Sequence, residues 1–392
     1  MLNIYFPHYF DKNSATMTVY RRGLLLNRAI INSTIHTLPK EIRQTDGRLN
    51  LPGIAQDGLR MLEWTYKIYE LRKDNEYRPS INYVIDPFPQ SLFTYPTQFV
   101  KGGKIIFDIG DIPSMYWNTF KPRPYDKIID FSFKSALKCA DKVVVRGKRL
   151  TCIIEGITGQ KIEEPAIVYD PVEDEFFNGV MKDARARQKA ELATMGIDYV
   201  LGYVGSIRAY QKGGEVIPRA SELLGVYLNL PKDLQKRTAL VIVGGGRGHA
   251  ALLSRIKQEI PKELQKNIMA PGWVSDADLH TWMASFDVGY MEAFNSLGYY
   301  AMIGYKVQQY FALGIPTLTP LIGEREEWKD YITGIPLLDS DYGNLNQDYY
   351  SEVAEKVEKS LGKRNRNAYA FAKEKFSMDV IQKQLGNVVE GM

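Results

Sequence analysis

The stretch Tyr305-Lys306-Val307-Gln308-Gln309-Tyr310-Phe311-Ala312-Leu313-Gly314-Ile315-Pro316-Thr317-Leu318 carries the residue pattern best suited to chemistry in this chain. Its first part reads as a helix that Gly314 stops, and Pro316 then opens a short apolar strand. Upstream lie an apolar strand, Phe286-Asp287-Val288-Gly289-Tyr290, and a flexible run, Asn295-Ser296-Leu297-Gly298. A helix that starts past the C-terminal end of a strand presents free N–H groups and the positive end of its dipole to the space beyond the sheet. That space suits an anion, with Ser296, Tyr305, Lys306 and Gln309 as its expected contacts.

Two further loops follow strands in the same half. Gly205-Ser206-Ile207-Arg208-Ala209-Tyr210-Gln211-Lys212-Gly213 comes after Tyr199–Val204 and holds two cations, Arg208 and Lys212. Gly244-Gly245-Gly246 comes after Leu240–Val243, but Gly248 is followed by His249, so neither common phosphate-loop motif is fulfilled. These glycines, Gly246 among them, are expected to let backbone pass close to a ligand. In the first half, Lys104-Ile105-Ile106-Phe107-Asp108 is a strand that delivers Asp111 to its C-terminal end, where sites on doubly wound sheets sit. A carboxylate there serves as a general base, orients hydroxyls, or caps the next turn. Asp108 is comparable by position, although strand alternation points it the other way.

These loops need elements to carry them. At 392 residues the chain exceeds the ~250–300 at which one core stops growing, so two domains are expected. Both halves alternate short apolar runs with helical patterns, the mark of parallel sheets with crossover helices. In the first, Leu2–Phe6, Ile81–Ile85, Lys104–Asp108, Asp141–Val145 and Ala166–Pro171 read as strands, with helices over 16–31, 59–72 and 128–140. Asp11-Lys12-Asn13-Ser14 forms a loop before the first helix, and 39–58 reads as a surface insertion. The plan restarts at Tyr199, with a linker inside the polar segment 173–198. The expected domains are 1–175, 176–363, and a final amphipathic helix from 364.

Composition excludes several classes. Fifty basic against forty-six acidic residues leave a mild positive excess, which suits an anionic ligand or an acidic membrane surface and is too weak for nucleic acid. Cys139 and Cys152 have no metal-ligand spacing, the four histidines are unpaired in sequence, and no run of 18 apolar residues occurs. Glu324, Glu326 and Glu327 read as a solvated helix start, and Asp339-Ser340-Asp341 as a surface loop. The expectation is a cytoplasmic protein, at most peripheral to a membrane, with neither metal nor cofactor.

The spacing Lys306-x-x-Gln309-Tyr310-x-Ala312-x-Gly314-x-Pro316 resembles the nucleotide-sugar signature of retaining GT-B glycosyltransferases of the family 4 type, Lys-x-x-Glu-Tyr-x-Ala-x-Gly-x-Pro. Lys212-Gly213 is similar to the end of that family's Gly-Arg-x-x-x-x-x-Lys-Gly segment, and Pro271-Gly272-Trp273-Val274 to its base-reading Gly-x-Val loop. Two positions depart: Ser206 replaces the Arg, and Gln309 replaces the Glu that holds the donor's ribose hydroxyls. An amide still donates to and accepts from a diol, without the charge.

The resemblance implies an α/β GT-B fold, two Rossmann-like domains facing a central crevice, with the last helix crossing back to the first domain. It implies transfer of a hexose from a nucleoside diphosphate sugar to a hydroxyl acceptor, with retention and without a metal. Asp111 and Lys212 are the expected catalytic residues. Ser206, Arg208, Gly246, Trp273, Val274, Ser296, Tyr305, Lys306 and Gln309 are expected around the donor, and Asn13 and Ser14 toward the acceptor. Trp273 either stacks on the base or packs under the helix holding Trp282. The two departures leave open a different class, a nucleotide-sugar-binding scaffold that transfers nothing.

Overall fold

The computed structural model describes residues 2–9, 17–30, 33–38, 66, 70, 81–85, 103–110, 126–212, 214–291, 304–338 and 345–392. The chain forms two compact units. The first runs to Pro171 and takes in Met378–Met392, and most of Val172–Ser377 belongs to the second.

The first unit is built on a parallel sheet of order β2-β1-β3-β4-β5-β6. Its strands are β1 (Leu2–Tyr9), β2 (Ser33–Leu38), β3 (Ile81–Ile85), β4 (Lys104–Ile109), β5 (Lys142–Val145) and β6 (Ala166–Ile167). Central strands such as Ile105-Ile106-Phe107 are apolar at consecutive positions because helices cover both faces. Phe133 and Leu137 of helix Asp126–Leu137, with Leu150 and Ile154 of helix Lys148–Thr158, pack on Val84, Phe107 and Val145. On the other face, Leu25 and Leu26 of helix Met17–Ala29 join Ile381 and Leu385 of helix Met378–Glu390 over Ile4, Tyr83 and Ile106.

The second unit holds β7 (Tyr199–Val204), β10 (Thr238–Val243), β11 (Ile268–Gly272), β12 (Val288–Tyr290), β13 (Thr317–Pro320) and β14 (Thr333–Ile335). They form a parallel sheet of order β11-β10-β7-β12-β13-β14. By order of appearance this reads three-two-one-four-five-six, the dinucleotide-fold order, so the strand sequence reverses between β7 and β12. Ligands on such sheets bind beyond the carboxyl ends at that reversal.

Several sequence expectations change. The segment 173–198, expected to hold a linker, is mostly the helix Gly179–Thr194, which Asn178 caps and whose Met181 and Ala184 pack on Ala284. The residues after β7, expected as a loop, include an antiparallel hairpin of β8 (Ala209–Lys212) and β9 (Glu215–Pro218). The strand expected over 286–290 begins at Val288, because Asp287 is buried as an acceptor for Arg185 at 3.0 Å and the Val200 amide at 2.8 Å. The final helix is two: Ser377 is extended, and its backbone bridges to Val172, separating Arg366–Phe376 from Met378–Glu390. Glu324 is fully buried together with Arg325, while Glu326 and Glu327 are exposed, so only part of that cluster is solvated. The insertion 39–58, the loop 11–14 and Asp339-Ser340-Asp341 lie outside the described residues, as does all but Tyr66 and Glu70 of 59–72. Among the described residues, no helix is long and apolar enough to cross a membrane.

Candidate functional site

In the second unit three turns converge past the carboxyl ends of β7, β10 and β11. The Gly205 amide donates to Val243 at 3.0 Å, Ile207 donates to Gly245 at 2.8 Å, and the Gly248 amide donates to Ile207 at 2.9 Å. The Gly244 amide donates to Gly272 at 2.9 Å, which adds the third turn. This lacing explains the glycines. Gly244 has φ 140°, and a Cβ on it would stand 1.8 Å from the Gly205 carbonyl oxygen. Gly245 leaves room for the Trp273 indole, whose edge lies 2.5 Å from where a Cβ would sit. Trp273 is 70% exposed above this glycine, so it is not packed under the helix holding Trp282. Gly246 is exposed and Val274 half-buried on the same rim.

The helix Tyr305–Ala312 supplies the fourth element. Its N-terminal residue is preceded by Gly304 at φ 78°, and no side chain caps it. Lys306 reaches back from the first turn and holds its Nζ 4.3 Å from the centre of the Tyr203 ring, on β7. That ammonium also lies 2.5 Å from where a Gly205 Cβ would stand, so the helix start meets the β7 turn at the strand-order reversal. Gln309 and Tyr310 are buried one turn on, the Tyr310 ring filling the space that Gly289 of β12 leaves open.

Burial, and then the neighbouring Arg219, push the Lys306 ammonium well below the usual lysine value, with Glu222 opposing. Arg219 and Glu222 lie at the end of the hairpin and the start of helix Glu222–Leu228, and both are buried. Burial lifts the Glu222 carboxyl to about 7, against the pull of its own backbone amide, Tyr290, Arg219 and Arg255. Sequence reasoning missed this pair. The available signal was an acid heading the apolar run Leu223-Leu224-Gly225-Val226, where a solvated face was not expected.

A second missed cluster surrounds Tyr305. Its hydroxyl donates to Glu173 Oε2 at 2.5 Å. His280 lies between two carboxylates, Nδ1 2.5 Å from Glu175 Oε1 and Nε2 3.7 Å from Glu173 Oε1, with its ring edge-on to Phe176 at 4.8 Å.

Of the sequence-derived residues, Ser206, Gly246, Trp273, Val274 and Lys306 border the convergent turns. Gln309 is buried along the same helix, and Tyr305 turns its hydroxyl to Glu173. Arg208 is exposed at the hairpin's start, and Lys212 closes β8. Ser296, Asp111, Asn13 and Ser14 lie outside the described residues. In the first unit, Asp108 is fully buried and accepts from Arg22 Nε at 2.8 Å and the Tyr83 hydroxyl at 2.9 Å. Arg22 also donates to the Val168 and Tyr169 carbonyls, so this carboxylate holds the core together and is closed to a substrate. Beside it, the Arg146 guanidinium occupies the space next to Gly110 and pairs with Asp170 at 3.2 Å.

No protein-family model matches the sequence, and no curated protein matches it by sequence. Solved structures do match. HepE from Anabaena, in complex with UDP-glucose, superposes with TM-score 0.67 at 12% identity, covering 100% of both chains. Sucrose-phosphate synthase from Thermosynechococcus elongatus gives 0.70 at 14% identity over 100% of this chain and 98% of its own. WaaG, a glycosyltransferase involved in lipopolysaccharide biosynthesis, gives 0.67 at 14% identity over 100% of both. Two six-stranded parallel sheets, each with its own helical cover, and likeness along the full chain to these enzymes identify the architecture as the α/β GT-B fold.

Proposed function

We propose that this protein is a glycosyltransferase that moves a hexose from a nucleoside diphosphate sugar to a hydroxyl acceptor with retention at the anomeric carbon. The observation that carries the reading is the Lys306 ammonium beside the Gly205 turn, where an uncapped helix start meets the strand-order reversal. Partly desolvated positive charge and the positive end of a helix dipole suit a diphosphate. The UDP-glucose bound to HepE, a protein of like fold, supports the same ligand class.

In the proposed transfer the bond from the anomeric carbon to the diphosphate oxygen breaks, and its electron pair leaves on the phosphate. The acceptor oxygen forms the new bond on the same face, and its proton passes to the departing phosphate oxygen. Lys306, Arg208 and Lys212 offset the charge that develops there. Trp273 offers an exposed face for the base, and Gln309 donates to and accepts from the ribose hydroxyls. Asp111, Asn13 and Ser14 belong to the acceptor side, where Asp111 orients sugar hydroxyls. No metal or cofactor enters this scheme.

The neutral, buried Gln309 favours a second reading, a nucleotide-sugar-binding protein that transfers nothing. A thermal-shift screen against nucleoside diphosphates and their sugars, followed by a donor-hydrolysis assay, tests both. A ligand at ~100 times its dissociation constant adds ~2.7 kcal/mol to stability. Stabilisation with release of nucleoside diphosphate is the expected result. Stabilisation without release selects the second reading, and no stabilisation by any member overturns both.

A further inference from the structure

The helix Tyr305–Ala312 presents a physical puzzle. Its start follows Gly304, a residue at positive φ that offers no side chain as a cap, and the Val307 amide turns back to the Gly304 carbonyl at 2.9 Å. Such an end frays unless something else fixes it. The Tyr305 side chain is that fixing point: its hydroxyl donates to Glu173 at 2.5 Å, a charge-assisted contact. Glu173 is immobilised in turn. His280 Nε2 stands 3.7 Å from its other oxygen, while His280 Nδ1 bonds Glu175 at 2.5 Å and the ring rests on Phe176. His280 belongs to the helix Asp276–Ser285, which begins directly after the Trp273-Val274 loop. The preceding residue of Glu173, Val172, donates its amide to the Phe376 carbonyl at 2.8 Å. Glu173 thus follows the point where the chain enters the second unit, and Phe376 precedes the point where it leaves.

We propose that Glu173 is a positioning residue for the anion-binding end of the Tyr305 helix, acting through the Tyr305 hydroxyl and held by His280. This clasp gives a helix start without a capping side chain a side-chain anchor, and so fixes the first turn, Lys306 included, where the ligand binds. It rests on the reading of this end as a diphosphate site.

The test uses the full chain, Tyr305→Phe, Glu173→Gln and the double variant, with UDP as probe and uridine as control. Calorimetric titration is expected to show each single variant losing UDP affinity about tenfold, the scale of one charge-assisted hydrogen bond. Uridine affinity should stay constant, and the double variant should lose no more than a single one, because both changes remove the same contact. Additive losses, equal losses for UDP and uridine, or unchanged UDP affinity would overturn the proposal. Hydrogen exchange without ligand gives an independent readout. Faster exchange at 305–308 in Glu173→Gln, with the helix Lys232–Arg237 unaffected, is expected, and unchanged exchange counts against the clasp. If the unsubstituted protein binds no nucleoside diphosphate, the reading of the site fails, while the exchange result still decides the clasp.

Discussion

Replacing Glu222 with Gln should change how stability depends on pH, in a direction fixed by the site. Burial lifts the Glu222 carboxyl from 4.5 to about 7. At ~1.4 kcal/mol per decade of proton concentration, that interval corresponds to about 3 kcal/mol. The unfolded chain releases this proton near its ordinary value, while the folded chain keeps it until about 7. Stability is therefore full below the ordinary value, declines as pH rises through about 7, and is flat above. Gln cannot ionise, so Glu222→Gln should escape the decline. Urea unfolding followed by tryptophan fluorescence at about pH 5 and about pH 8.5 measures it, the gap between the two proteins shifting by about 3 kcal/mol in favour of the variant at the higher pH. The groups facing Glu222 are Arg219, Arg255, Lys306, Tyr290, Tyr349 and Tyr350. Of these, Lys306 is itself pushed below its usual value, so the same pair is compared in a Lys306→Met background. Identical pH dependence with and without the Glu222 carboxyl, in both backgrounds, would refute the reasoning.

Three further outcomes follow from the geometry. Lys306→Met should weaken nucleoside diphosphate binding about tenfold or more and leave nucleoside binding unchanged, read by calorimetry. Asp108→Asn removes the buried partner of Arg22 and should cost about 3–5 kcal/mol in urea unfolding; a loss under ~1 kcal/mol would show that the pair is not closed to water. Gly244→Ala drives a methyl into the Gly205 carbonyl at a φ of 140° and should abolish ligand-induced thermal stabilisation, with at least about 2 kcal/mol of destabilisation.

The sequence by itself determined the elements with strong local signals. Apolar runs marked the central strands of both sheets, because a strand covered on both faces has no polar alternation. The helix ending at Gly314 was legible for the same kind of reason, since its periodicity and stop signal are local. Lys306 was legible as a cation at that helix's start, and so was the glycine run after β10. Edge features were not. β2 and β14 are short strands fixed by pairing with β1 and β13, the β8–β9 hairpin is short with no apolar alternation to mark it, and the break at Ser377 exists because its backbone bridges to Val172.

Only the tertiary structure decided which charged residues are structural and which border the site. Asp108 and Glu324 read as candidate or solvated acids, yet both are fully buried, Asp108 against Arg22. Glu173, Arg219, Glu222 and His280 carried no motif, because what matters about them is a partner 30 to more than 130 positions away in the chain or the loss of water around them. A motif records spacing along one element, whereas burial and charge coupling arise where elements meet, and local sequence holds no measure of that.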